Sequence, residues 1–262
     1  MDLQLTNKLA LVSGSTAGIG LAIATSLAAE GARVIVNGRT ATRVAEALAK
    51  IRASVPSARL ESFAGDLSTE AAANELARRF PDVEILVNNL GIFEPKAFED
   101  IPDEDWRRFF EVNVLSGVRL SRLFFPGMKQ RNWGRIIFIS SESALQTPPE
   151  MIHYGVTKTA QIAVARGLAE LAAGTGVTVN SVLPGPTRSE GVEEFVGKLS
   201  GGVPFEQFEK EFFEKVRPNS LIKRFETAEE IAHLVTFVAS PLSSATTGAA
   251  LRAEGGVVKS AF

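Results

Sequence analysis

The stretch from Lys8 to Glu30 constrains this chain more than any other. Lys8 to Val12 is a short apolar run of strand character that passes at once into Ser13-Gly14-Ser15-Thr16-Ala17-Gly18-Ile19-Gly20, then into an alanine-rich amphipathic run. A strand, a tight glycine turn and a helix start, in that order, form a phosphate cradle. Backbone without side chains lets a pyrophosphate approach, and the helix's amino end supplies free N–H groups and a positive dipole. The spacing Gly-x-x-x-Gly-x-Gly at the first strand of an α/β pattern therefore reads as the start of a dinucleotide-binding sheet.

The rest of the chain keeps the alternation. Arg33 to Val36 reads as a second strand ending in Asn37-Gly38-Arg39, and a helix is expected from about Ala41 to Ala53. A third strand near Leu60 to Ala64 closes on Gly65-Asp66-Leu67, where Asp66 either accepts from an adenine amino group or caps a helix beginning at Ser68; the spacing favours the cap. Ile85 to Val87 is the fourth strand, followed by Asn88-Asn89-Leu90-Gly91, whose paired amides brace the turn or touch a cofactor. Pro102 introduces a long helix to about Gly127. Its apolar bulk, from Trp106 through Phe124, exceeds what one face of a sheet needs and suggests a subunit interface. Asn113 interrupts that run and needs a partner if buried.

Arg135 to Ser140 is a β-branched apolar strand that delivers Ser141 to its carboxyl end, and after Pro148 and Pro149 the pattern turns helical as far as Gly174 to Gly176. Tyr154 and Lys158 stand four apart on that helix, so both project from one face. A nearby ammonium favours a phenolate, so Lys158 is expected to lower the pKa of Tyr154. With Ser141 to orient a carbonyl or alcohol oxygen, the three make a proton-transfer site. Val177 to Val182 is a sixth strand leading into Pro184-Gly185-Pro186-Thr187-Arg188-Ser189, and a last strand near Ala249 to Ala253 precedes Glu254-Gly255-Gly256.

Seven strands alternating with helices predict an α/β, doubly wound (Rossmann) parallel sheet with helices on both faces, in a single domain covering residues 1–262. Gly14, Asn88, Ser141 and Pro184 all fall at strand carboxyl ends, where such sheets bind ligands. Residues 190–220 break the alternation. There Phe195, Phe205, Phe208, Phe212 and Phe213 lie among Glu and Lys, interrupted by Gly201, Gly202 and Pro204, which reads as a helical flap able to close over a substrate. A helix from Thr227 to Ala239 opens with Thr227 and Glu230 in capping-box spacing.

Composition excludes several classes. A net charge of −2 without a basic stretch argues against nucleic acid as a partner. With no cysteine and two distant histidines, His153 and His233, neither a disulfide framework nor a metal site is expected. No apolar run reaches a membrane span and the opening residues lack a signal-peptide pattern, so the expectation is cytoplasmic, without membrane contact.

Taken jointly and in order, Gly14-x-x-x-Gly18-x-Gly20, Asp66, Asn88-Asn89-x-Gly91, Asn113, Ser141, Tyr154-x-x-x-Lys158 and Pro184-Gly185 resemble the short-chain dehydrogenase/reductases over essentially the whole chain. The resemblance implies Tyr154 as acid/base, Ser141 as holder of the substrate oxygen, and Lys158 as the group that lowers the tyrosine's pKa and bonds the nicotinamide ribose. Asn113 would help to hold a water linking Lys158 to solvent. Cofactor contacts are implied from Gly14, Ser15, Thr16, Gly18, Ile19 and Gly20 at the first turn, and from Asn88 and Gly91 after the fourth strand. Asp66 and Leu67 would lie near the adenine, and Pro184, Gly185, Thr187 and Ser189 near the nicotinamide amide. A homotetramer or homodimer is also implied.

Three positions depart from that pattern. Leu90 stands where a small residue is usual, Ser189 where a Thr is common, and Ala17 where many NADP-dependent relatives carry a basic residue. The absence of an acid after the second strand and the presence of Arg39 favour NADP, with NAD as the alternative cofactor. The expected reaction is hydride transfer between NADP(H) and a carbonyl or secondary alcohol. The alternatives are an NAD-dependent alcohol dehydrogenase and a non-catalytic, cofactor-bound sensor or scaffold. Arg188, Glu94, Glu142 and Gln146 are further, unranked candidates for the pocket wall.

Overall fold

The computed structural model describes residues 1–188 and 204–261. Strands β1 (Leu9–Val12), β2 (Arg33–Gly38), β3 (Arg59–Ala64), β4 (Ile85–Asn88), β5 (Gly134–Ile139), β6 (Val177–Pro184) and β9 (Ala250–Ala253) form one sheet in the order β3-β2-β1-β4-β5-β6-β9. All six pairings are parallel. A second, two-stranded piece pairs β7 (Thr187–Arg188) with β8 (Glu226–Thr227).

Both faces of the sheet are buried, which is why the strands read as continuous apolar runs. Ala10, Val12, Val34, Val36, Ile85, Val87, Ile137 and Ile139 pack on one side with Ile23 and Leu27 of α1 (Gly18–Ala29) and with α2 (Ala41–Ser54). Alternate residues Leu9, Leu11, Ile35, Leu86, Ile136 and Phe138 pack on the other with Leu76 of α3 (Glu70–Arg79) and with Leu120 and Phe124 of α5 (Ser116–Gln130). Each Val, Leu, Ile or Phe among them contributes about 1.5–3 kcal/mol on full burial.

Several boundaries differ from expectation. The helix expected to run unbroken from Pro102 is instead α4 (Asp103–Phe109), a π-helical turn over Phe110–Leu115, and α5. The wider turn is centred on the polar Asn113, which no apolar periodicity could reveal. Helix α3 begins at Glu70 rather than Ser68, capped by the Thr69 hydroxyl, which accepts from Ala72 N. Asp66 does not cap it: its Oδ1 accepts from Ser68 N at 3.0 Å and Ser68 Oγ at 2.7 Å, folding the turn that precedes the helix. Helix α6 (Ile152–Leu171) follows a 3-10 turn at Pro149–Met151. The remaining helices are α7 (Phe205–Lys215) and α8 (Ala228–Ala239), the latter with the expected capping box between Thr227 and Glu230. Of the expected flap, Phe195, Gly201 and Gly202 lie outside the described residues, as does Ser189. The described part packs Phe208, Phe212 and Phe213 around Phe225, with ring centroids 5.1–6.4 Å away.

The turn after β1 is built by close approach. Gly14 adopts φ +63°, and a Cβ on Gly20 would stand 2.3 Å from Gly14 O and 2.5 Å from Asn89 Nδ2. Gly20→Ala is therefore expected to destabilise the fold by about 1–3 kcal/mol through overpacking. Gly167→Ala on α6, where a Cβ meets nothing within 4 Å, should instead be neutral or stabilising by up to about 1 kcal/mol. Urea unfolding of the two variants beside the parent checks the pair, and equal midpoints would disprove the close-approach argument.

Candidate active site

The strand order reverses between β1 and β4, because β2 and β3 extend the sheet to one side and β5, β6 and β9 to the other. The connections above β1 and β4 leave in opposite directions, so a crevice opens at their carboxyl ends. Its rim is tied by a polar net. Asn37 Oδ1 accepts from Gly14 N, and Asn37 Nδ2 donates to Phe63 O and Gly65 O. Asn89 Nδ2 donates to Ser13 O and Gly14 O, both at 3.0 Å. The first turn thus hangs between its two neighbouring strands.

The first-turn residues divide by direction. Ser15 spends its hydroxyl on Val12 O and on Asn37 N, and its own N–H on Asn37 O, so it braces the turn from inside. Gly14, Gly18 and Gly20 shape the cradle, Ile19 reaches the cavity wall, and Ala17 leaves the start of α1 without a side-chain cap. Thr16 packs against Gly38, where a Cβ would come within 2.4 Å of its methyl group, and Arg39 is exposed beyond it. Asp66 is exposed, whereas Leu67 is buried in the core. Asn88 points beneath the sheet end, donating to Ser121 Oγ. Leu90, the departure from the family pattern, packs on the core and against Gly14, forming the floor of the turn.

Ser141, Tyr154 and Lys158 come together. They line one cavity of about 280 Å³ with Ile19, Gly91, Pro184, Gly185 and Thr187, under an apolar wall that includes Phe93, Met151, Phe208, Phe212 and Phe225. The arrangement follows from β5 and α6 packing side by side: Ser140 Oγ donates to Lys158 O at 2.8 Å, and Lys158 Nζ returns a bond to Ile139 O at 2.8 Å. Gly91 closes over the lysine, where an added Cβ would meet Nζ at 3.3 Å. Asn113, buried in the π turn, holds the loop after β4 by accepting from Ile92 N and donating to Ile92 O, and it reaches α6 through Thr157 Oγ1.

Electrostatics depart from the expected scheme. Lys158 Nζ lies 5.5 Å from the Tyr154 ring centroid, yet burial dominates both groups. It pulls the ammonium down to about 7 and pushes the phenol well above its ordinary range. The Ser141 hydroxyl works against the rise of the phenol, and the Glu142 carboxylate adds to it. Desolvation therefore outweighs the lowering that the four-residue spacing suggested.

Of the unranked wall candidates, Glu142 lines the cavity and is 5% exposed. Its Oε2 accepts from Ser141 Oγ, from Ser143 N at 2.8 Å and from Ser143 Oγ at 3.0 Å, while its Oε1 faces Arg217 Nε at 3.3 Å. Arg217, at the end of the flap, also pairs with Glu150 and lines the cavity. Glu94 pairs instead with Arg108 and Lys96 away from the cavity, and Arg188 lies over the Phe205 ring. Gln146 lines a separate surface depression. Behind Gly185, buried Glu226 is raised to about 8, first by desolvation and then by Glu142 and Glu254. Sequence reasoning missed Asn37, Arg217 and Gln161. Asn37 and Gln161 left a signal, the first as a polar residue closing an apolar strand and the second as the next position on the Tyr154–Lys158 face. Arg217 left none among 28 basic residues.

The family model for short chain dehydrogenases matches residues 8–198. An uncharacterised oxidoreductase, YvaG of Bacillus subtilis (strain 168), is 53% identical over 264 residues and all of both chains. A D-beta-hydroxybutyrate dehydrogenase of Cupriavidus necator is 36% identical, covering 97% of this chain and 99% of that relative. Among solved structures, L-sorbose reductase from Gluconobacter frateurii, complexed with NADPH and L-sorbose, superposes with a TM-score of 0.93 at 29% identity, covering 99% and 100% of the two chains.

Tyr154 is the single tyrosine of the chain, so its ionisation can be followed directly by tyrosinate absorbance. The charge on Glu142 disfavours a nearby phenolate, so Glu142→Gln should move the titration midpoint downward, by about one pH unit for each 1.4 kcal/mol of repulsion removed. A midpoint that stays put or rises would show that Glu142 does not act on the phenol.

Proposed function

We propose that this chain, which belongs to the short-chain dehydrogenase family, is an oxidoreductase moving a hydride between NADP(H) and a carbonyl/secondary-alcohol pair, with Tyr154 as general acid/base. The observation that carries this reading is the convergence of Ser141, Tyr154 and Lys158 on one cavity beside the glycine cradle. The cradle suits a dinucleotide: Gly14 and Gly20 keep the backbone bare where a Cβ would collide, and α1 begins uncapped above it. When bound, the nicotinamide supplies or takes up the hydride.

The protein's part is position and a proton. In reduction Tyr154 Oη donates its proton to the carbonyl oxygen as that oxygen gains negative charge, and in oxidation the phenolate takes the alcohol proton. Ser141 holds the same oxygen, and Lys158 supplies positive charge behind the phenol. The aromatic wall excludes water from one side of the reactant. Because the polar side carries Glu142 already matched to Arg217, the preferred reactant is uncharged next to the carbonyl, with an apolar flank against Phe93 and Phe212.

Arg39 supports NADP over NAD, as a cation placed for a 2′-phosphate, while Thr16 occupies the space above Gly38 that an acid would need. The NADPH complex of the sorbose reductase agrees with that choice. A second reading, oxidation of an alcohol, is favoured by Ser141 donating to Glu142: its oxygen, which already accepts from Ser143 N, then meets a substrate hydroxyl as an acceptor and not as a donor. A homotetramer or homodimer is part of the proposal, with the exposed Phe110, Leu115 and Leu123 as contact surface.

Two variants test the assignment. Tyr154→Phe removes only the proton donor, so turnover across a carbonyl panel followed by NADPH absorbance should fall by about 10²–10⁴-fold while cofactor binding by fluorescence persists. Retained turnover would refute the role of Tyr154. Arg39→Asp should invert the ratio of kcat/KM for NADP and NAD, shifting it by about tenfold or more, the worth of a single charge-assisted bond to phosphate. An unchanged ratio removes Arg39 as the determinant.

A further inference from the structure

We infer that Gln161 is a positioning residue that clamps the Lys158 side chain to the main-chain carbonyl of Asn113. The inference rests on the proposed roles of Tyr154 and Lys158 and goes beyond them. Gln161 is 1% exposed and bridges α6 and the π turn. Its Nε2 donates to Asn113 O at 2.5 Å, and its Oε1 accepts from Lys158 Nζ at 3.3 Å. Only one orientation of the amide satisfies both partners, because a carbonyl needs a donor and an ammonium an acceptor.

Three features of the fold converge on this contact. Tyr154, Lys158 and Gln161 lie at i, i+4 and i+7 on α6, so they share one face. The π turn places the Asn113 carbonyl opposite that face, and the Asn113 side chain is held separately by Ile92 and Thr157. The lysine's other acceptor, Ile139 O, belongs to the rigid end of β5. Lys158 is thus fixed from the sheet on one side and from the π turn, through Gln161, on the other. A carboxamide has no proton to pass on, so this bridge orients the lysine and favours its charged form without carrying a proton. The proton exchanged at Tyr154 is thereby directed to the cavity side of Lys158.

Removing the acceptor should disfavour the ammonium and, through it, the Tyr154 phenolate. Among the described residues, the charged group acting on Tyr154 from another element is Glu142 in the turn after β5, which is itself paired with Arg217 from the flap and raises Glu226 of β8. All three are untouched by changes at position 161.

The test is the pH dependence of alcohol oxidation at saturating NADP⁺, with tyrosinate absorbance of the same variants. Gln161→Leu keeps the bulk but neither polar atom, whereas Gln161→Glu keeps an acceptor for Lys158. Gln161→Leu should move the apparent pKa of the base upward by about one unit and lower kcat at neutral pH about tenfold, with KM within about twofold. Gln161→Glu, whose carboxylate holds Lys158 in its charged form, should not show that upward shift. An unshifted Gln161→Leu, equal shifts in both variants, or an effect confined to KM would overturn the inference. If Gln161→Leu does not fold by circular dichroism, Gln161→Met replaces it under the same criteria. Tyr154→Phe run alongside separates the two levels: activity in that variant defeats the proposed chemistry, and its silence with an unshifted Gln161→Leu defeats only the clamp.

Discussion

A parallel sheet that grows first to one side and then to the other leaves a single place where its connections cannot cover the strand ends. In this chain that place lies above β1 and β4, and everything chemically suggestive is arranged around it. The crevice exists because the Gly14 turn can lie close over it. That turn holds its shape through two amides, Asn37 from β2 and Asn89 from the end of β4, whose bonds to the Gly14 and Ser13 backbone replace those the turn cannot make with itself. Were either amide apolar, buried backbone groups would be left without partners, at about 1–3 kcal/mol each.

Around this frame the ionisable groups are governed by burial more than by pairing. Lys158, Tyr154 and Glu226 are all shifted toward their neutral forms, and in each the largest cause is removal from water. Glu142 is held differently: Arg217 and three donors from Ser141 and Ser143 gather on its carboxylate. A buried pair of this kind adds little net stability, because desolvation offsets attraction, but it fixes geometry. Here it ties the end of the flap to the loop that carries Ser141, so the seating of the flap and the orientation of the serine hydroxyl are mechanically linked.

Most of the frame was legible in the sequence because it rests on period and punctuation. Apolar runs of four to eight residues ending in Gly14, Asn88, Ser141 and Pro184 marked strand ends within a residue or two, and the Thr227–Glu230 spacing marked a helix start. What escaped depended on partners distant in sequence. The π turn at Asn113 is stabilised by Ile92, Thr157 and Gln161 from two other elements, so no local pattern announces it. Asp66 looked like a cap because its spacing suited one; Thr69, three residues on, had the better geometry. The lowering of Tyr154 by Lys158 was read from spacing alone, which contains distance but not desolvation.

That last difference bears on how tightly the tyrosine holds its proton. A phenol held above its ordinary range rests as a donor at neutral pH and gives up that proton only with help from its surroundings. A lysine near 7 is divided between its two forms there, and small changes in its hydrogen bonding decide which predominates. The ammonium stabilises a phenolate and so eases the departure of the tyrosine's proton; the neutral amine does not. Control over the lysine is therefore control over how readily the tyrosine gives up and regains its proton. The groups with that control are the two acceptors on Nζ, Ile139 O and Gln161 Oε1. Of these only the second is a side chain, so within this fold it is the one that substitution can alter without disturbing the sheet.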